Sequence, residues 1–116
     1  MEIGIIKDTI SKKELKRIAE NQFGDLVKAV IDVKQEIMAI AGELHADEEV
    51  KLIEDEDSSR EDIWGINLYP EKPKQEWIEF DSIINIKPSY NNRSRSVEDP
   101  EIRSKIKSII KNLVTE

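Results

Sequence analysis

The sequence changes repeatedly between helix-like and strand-like spacing of apolar residues, and this succession limits the folds that the chain can adopt. The clearest helix begins at a capping box, in which the Ser11 hydroxyl can accept the Glu14 backbone N–H and the Glu14 carboxylate can accept the Ser11 N–H. Gly24 then provides a helix stop. Apolar residues recur at every second position from Val27 to Val33, with Lys28 and Asp32 on the other side, which predicts a strand.

The remaining elements follow from the same two periods. Asp99 and Pro100 suit the N-cap and the first position of a last helix. The other predicted elements are a strand at 2–6, a returning strand at 37–44, a helix at 47–56, and a hairpin formed by 63–70 and 77–88. The order β-α-β-β-α-β-β-α predicts an α+β domain. Its sheet is mainly antiparallel, made of two hairpins plus an N-terminal strand, and three helices pack on one face.

Length and composition restrict the class of protein. A chain of 116 residues is expected to form a single domain, 1–116. The absence of cysteine removes disulfides and thiolate chemistry and fits a cytoplasmic protein. No apolar run reaches the roughly 20 residues of a membrane span, so no membrane partner is expected. The net charge of −7 argues against binding to nucleic-acid backbones, which depends on Lys and Arg that neutralise phosphates.

The segment GELHAD at 42–47 contains the only histidine of the chain. On one interpretation, Asp47 is the N-cap of the second helix and His45 packs at the end of the preceding strand. On the other, His45 is a general base or a metal ligand that Glu43 or Asp47 orients, so these three residues are the catalytic candidates. One histidine without cysteine does not make a structural zinc site, and we expect neither a metal nor another cofactor.

A second candidate site is the loop 88–96, a polar stretch that contains two arginines and no acidic residue. Arginine and serine side chains before a capped helix N-terminus are typical of anion binding. The residues assigned to this site are Asn91, Asn92, Arg93, Ser94 and Arg95. The alternative is a surface loop whose Asn and Ser side chains stabilise turns.

A third candidate is the outer face of the second hairpin, where polar side chains alternate along both predicted strands. If the helices cover the opposite face, these side chains form an open and rigid surface that suits a partner or a ligand. The alternative is an ordinary solvated face. The residues assigned to this surface are Asn67, Tyr69, Trp77, Asp81, Asn85 and Lys87.

These features leave the function open between two main hypotheses. The first is a small cytoplasmic binding or protein-interaction module that takes an unknown protein or a small anionic ligand and could form a homodimer through strand edges. The second is a small hydrolase or phosphate-ester-processing enzyme, in which His45 acts as acid or base and the arginine loop binds the substrate anion. A third, minor hypothesis is nucleic-acid contact through Arg93, Arg95, Arg103, Lys107 and Lys111.

Three phrases of the sequence resemble a small prokaryotic domain family whose function is uncharacterised. They are GELHADEE at 42–49, DIWGINLYPE at 62–71, and EFDSIINIKPSYNNRSRSVEDPEIR at 79–103. The resemblance covers nearly the whole chain, so it implies a whole-domain relationship rather than a shared motif. It implies no assigned activity and no catalytic residues that can be carried over to this sequence.

Overall fold

The computed structural model describes residues 2–116. The helices are α1 (Lys12–Asn21), α2 (His45–Glu56) and α3 (Pro100–Leu113). The strands are β1 (Gly4–Ile6), β2 (Ile10–Ser11), β3 (Val27–Asp32), β4 (Ile37–Ile40), β5 (Ile63–Leu68), β6 (Ile78–Glu79) and β7 (Val114–Thr115). Five of these strands form the main sheet in the spatial order β1-β4-β3-β5-β6, and every neighbouring pair in it is antiparallel.

The predicted α+β class, the antiparallel sheet and the order of the elements are confirmed. The capping box is present, since the Ser11 hydroxyl accepts the Glu14 N–H at 3.1 Å. The Asp99 carboxylate caps α3 by accepting the Glu101 N–H at 2.8 Å. In addition, β2 and β7 form a short parallel pair, which ties the start of α1 to the end of α3. None of the helices in 2–116 is long and apolar enough to cross a membrane.

The helices lie on both faces of the sheet, which corrects the prediction that all three pack on one face. Buried residues of α1 and α3 contact one face, which includes Ala29 and Ile31 of β3. Leu52 of α2 packs on the other face, which includes Val30 of β3 and Ala39 of β4. The physical reason is that the central strands are apolar on both sides, and an apolar face must be covered.

The second hairpin is much shorter than predicted. Only Ile78 and Glu79 pair with β5, and the chain then turns through short 3₁₀ segments instead of continuing as a strand to residue 88. The turn passes very close to Gly65 of β5, where a Cβ would lie 2.6 Å from the Cβ of Ser82. Because Gly65 has no side chain, the crossing segment can pack directly on the backbone of β5.

Candidate functional site

Helix α2 begins at His45, two residues before the predicted start. Leu44 is at the N-cap position and provides no side-chain hydrogen bond, so the predicted N-cap role of Asp47 is wrong. Strand β4 also ends early, at Ile40, because Ala41 has a φ of 69° and a left-handed residue cannot continue an extended strand. The exposed Asp47 lies instead in the first helical turn, where its charge favours the helix dipole.

His45 is half-buried against β5, and β5 sets the orientation of its ring. The Nε2 atom lies 2.8 Å from the carbonyl oxygen of Ile66. Because a carbonyl only accepts hydrogen bonds, Nε2 donates the proton and Nδ1 is unprotonated in the neutral ring. Burial lowers the pKa of His45, although the bond to Ile66 opposes this shift. Glu43 and Asp47 are both exposed, and neither bonds to the ring within the described residues.

The buried carboxylate of this segment is Glu48, which the sequence analysis did not single out. Its side chain is 0% exposed, and Oε2 accepts the Gly42 N–H at 2.9 Å. Oε1 has no hydrogen-bond partner among residues 2–116. Burial therefore raises the pKa of Glu48 well above its ordinary value, while the bond from Gly42 and the charge of Lys28 oppose the shift. Glu48 lies four residues before the buried Leu52, so both side chains are on the inward side of α2.

A chain of polar contacts connects the strand beside His45 to the arginine loop. Asn67 is buried and donates to the Glu79 carboxylate at 2.8 Å and to the Asp81 carbonyl at 3.4 Å. Arg95 donates to the Asp81 carboxylate at 2.7 Å. Tyr69 donates to Glu79 at 3.1 Å, which holds the same end of the sheet together. The loop therefore approaches this region, but the charge of Arg95 is already paired with Asp81.

The arginine loop is organised by its own side chains. Asn92 is 2% exposed, and its amide group donates to three backbone carbonyls, while its Oδ1 accepts the Glu98 N–H. The Glu98 carboxylate accepts the backbone N–H groups of Arg93 and Ser94 at 2.9 and 2.8 Å. Asn91 has a φ of 62° and serves as a left-handed turn residue.

Four of the six residues predicted on an open sheet face are buried instead, so that expectation is corrected for Asn67, Trp77, Asn85 and Lys87. Asn85 is 0% exposed, because its side chain bonds the backbone of Gly65. Lys87 is 2% exposed; its Nζ donates to the carbonyls of Arg60 and Ile63 and lies 3.8 Å from the centre of the Trp64 ring. The alternation predicted that Asn85 and Lys87 point outward. Residues 82–87 do not form a strand, however, so the two-residue period of a strand does not apply to them.

A groove of about 870 Å³ lies beside α3, and we call it the α3 groove. Its walls come from α3, from the start of α1, from the segment 74–80 and from the C-terminal residues. Trp77 and Phe80 provide aromatic surface, and Ile110 and Val114 provide aliphatic surface. Its volume is in the range of small-molecule sites.

The α3 groove is strongly basic. Five cationic side chains and one carboxylate line it, namely Lys12, Lys74, Arg103, Lys107, Lys111 and Glu116. Lys74 pairs with Glu116 at 3.2 Å, and its hydrogen bond lowers the pKa of that carboxyl group. Within residues 2–116, Lys12, Lys107 and Lys111 form no ion pair. Their charge is therefore available to a ligand.

The sequence analysis identified part of this groove. Arg103, Lys107 and Lys111 belong to the minor nucleic-acid hypothesis, and the structure places all three on one wall because they recur every four residues along α3. Trp77, predicted as a surface residue, also lines the groove, although it is only 9% exposed. The analysis missed Lys12 and Phe80, since nothing local in the sequence brings them together with α3. Arg93 and Arg95 are not part of the groove.

Comparisons with known proteins give a family without an assigned activity. The model of DUF5674, described as a protein of unknown function, matches residues 4–113, which confirms the resemblance to an uncharacterised family. No curated protein and no solved structure matches the chain. Among residues 2–116, no group of three or more His, Cys, Asp or Glu side chains is arranged to hold a metal ion.

Proposed function

We propose that this chain, which belongs to the DUF5674 family, is a small binding module that holds an anionic ligand in the α3 groove. One observation carries the proposal. Five cationic side chains surround a single groove in a chain whose net charge is −7. Like charges that lie close together repel one another, so an anionic ligand that neutralises the cations of the groove stabilises the arrangement.

The size and charge of the groove favour a small anion over a long polyanion. Charges act over a Debye length of about 8 Å at physiological salt, so a small anion inside the groove interacts mainly with the local cations. A long polyanion extends beyond them and meets the negative surface of the rest of the chain. The apolar walls around Phe80 and Ile110 add contact area for a ligand that also carries an apolar part.

The enzyme hypothesis has less support from the geometry. The Nε2 atom of His45 is engaged by Ile66, and the charge of Arg95 is compensated by Asp81. The cytoplasm remains the proposed location, because the chain has no cysteine. One edge of β1 has no neighbour in the described sheet, so a homodimer through that edge is a secondary proposal, which light scattering tests.

An NMR titration with inorganic pyrophosphate tests the binding proposal. We expect saturable shifts of backbone amides in α3 and of the Trp77 indole, and we expect the affinity to fall as NaCl is raised. The Lys107→Glu variant should weaken binding at least about fivefold, because it replaces one attraction by a repulsion.

The matched control is Lys105→Glu, which makes the same charge change on the same helix at an exposed position outside the groove. This variant should change the affinity less than twofold. The proposal is refuted if pyrophosphate causes no saturable shifts in α3, or if the two variants weaken binding equally, since the effect would then reflect overall charge and not the groove.

A further inference from the structure

We infer that the ligand of the α3 groove is a mononucleotide, that is, a planar ring joined through a sugar to a phosphate. The inference rests on the proposed function and adds the chemical class of the ligand. It follows from two kinds of surface along α3: an aromatic and guanidinium platform at Phe80 and Arg103, and ammonium charges that begin beside this platform at Lys107 and continue along the helix to Lys111.

The platform consists of Phe80 and Arg103. The guanidinium carbon of Arg103 lies 4.5 Å from the centre of the Phe80 ring. Its Nε donates to the Val97 carbonyl and its Nη2 to the Ser96 hydroxyl, both at 2.6 Å. These bonds hold the guanidinium in place before any ligand binds. A fixed arginine beside an aromatic ring is a surface on which nucleobases stack in many proteins.

The ammonium charges suit a phosphate next to that platform, since Lys107 places its Nζ 6.0 Å from the centre of the Phe80 ring. Lys107 and Lys111 follow Arg103 at steps of four residues, which is about 6 Å per step along a helix. Lys12 enters from the other wall, with its Nζ 5.6 Å from the centre of the Trp77 ring. Several unpaired ammonium groups that converge on one volume match the multiple charges of a phosphate monoester better than the single charge of a carboxylate.

The experiment compares ligands that contain one or both parts, by calorimetry on the intact protein. AMP should bind about tenfold or more tightly than ribose 5-phosphate, which has no ring, and than adenosine, which has no phosphate. The Phe80→Leu variant keeps apolar bulk but loses the ring, so AMP should bind it no better than ribose 5-phosphate does. Pyrophosphate should still bind that variant saturably and lose less affinity than AMP does, which shows that the groove is folded. Phe23→Leu is the matched control, because Phe23 is an exposed phenylalanine beside a lysine outside the groove.

The outcomes separate this inference from the proposed function. Equal affinity for AMP and ribose 5-phosphate, with pyrophosphate still bound, refutes the mononucleotide and leaves the anion-binding module in place. Failure of all phosphates to bind refutes both. An adenine decanucleotide that binds more than tenfold tighter than AMP refutes the free nucleotide in favour of single-stranded nucleic acid. If the Phe23 and Phe80 variants lose AMP affinity equally, stacking on the platform is not the reason that AMP binds.

Discussion

Replacement of Asn85 by alanine should be among the most destabilising single changes in this protein. The Asn85 side chain lies beside β5 at the point where the paired strand β6 has ended. Its Oδ1 accepts the Gly65 N–H at 2.8 Å, and its Nδ2 donates to the Gly65 carbonyl at 2.9 Å. The same Nδ2 donates to the Arg95 carbonyl at 2.9 Å. The amide thus provides the donor and acceptor that a neighbouring strand would have provided.

The magnitude follows from the groups that Asn85→Ala leaves without partners. One buried N–H and two carbonyls lose their hydrogen bonds, and each such loss costs about 1–3 kcal/mol. The losses overlap because water can enter part of the space, so we expect a decrease of about 3–5 kcal/mol in the free energy of unfolding. Domains of this kind have a total of about 5–15 kcal/mol, so a large part of the stability depends on one side chain.

Urea denaturation followed by circular dichroism measures this change. Asn112→Ala is the control, because Asn112 is exposed in α3, and it should stay within about 0.5 kcal/mol of the wild type. Asn85→Asp should be at least as destabilising as alanine at neutral pH, since it retains the acceptor but places a carboxylate against two carbonyls. A loss below about 1 kcal/mol for Asn85→Ala would show that the amide does not substitute for a strand.

Two further predictions concern buried ionisable groups, each followed by denaturation across a pH series. Burial raises the pKa of Glu48 above its ordinary 4.5, so the unfolded chain ionises first and the wild type loses stability as the pH rises past that value. Glu48→Gln should therefore match the wild type below pH 4 and become increasingly more stable towards pH 7; a constant difference would contradict the reasoning. Burial lowers the pKa of Lys87 from 10.5 to about 8. Between these two pH values Lys87 is protonated in the unfolded chain and deprotonated in the folded chain. The stability of the wild type relative to Lys87→Met should thus rise as the pH rises from 8 towards 10, and an unchanged difference would mean that Lys87 stays charged.

The parts of the fold that were predicted correctly depend on residues close together in the sequence. Ser11 and Glu14 form the predicted cap, and Asp99 caps the last helix, because these contacts span only two or three residues. The order of the elements along the chain followed from local periodicity in the same way. The prediction failed at 42–47 because Ala41, just before this segment, adopts a left-handed conformation. No pattern of apolar residues indicates such a conformation. As a result, the predicted start of α2 was two residues too late.

The placement of α2 on the second face of the sheet shows a different limit. The alternation along β3 was interpreted as one buried and one solvated face, yet Val30 and its neighbours on that second face are buried. Whether an apolar strand is covered on one side or on two depends on which helix reaches it, and that depends on contacts between distant segments. Asn85 and Lys87 were misplaced for a related reason, since they bond to a strand about twenty residues earlier in the chain.

In the candidate site, too, some features are determined by the local sequence and others by the tertiary structure. The spacing of Arg103, Lys107 and Lys111 along one helix is a property of the sequence, because every fourth residue of a helix lies on the same side. The groove that gives these charges a common volume is a property of the tertiary structure alone. It requires Lys12 and Phe80, which are separated by most of the chain, to face α3, and the pairing of β2 with β7 helps to bring the start of α1 to the end of α3. The positions of charges along the helix are therefore local, whereas their convergence on one site is decided by packing between segments that the sequence keeps far apart.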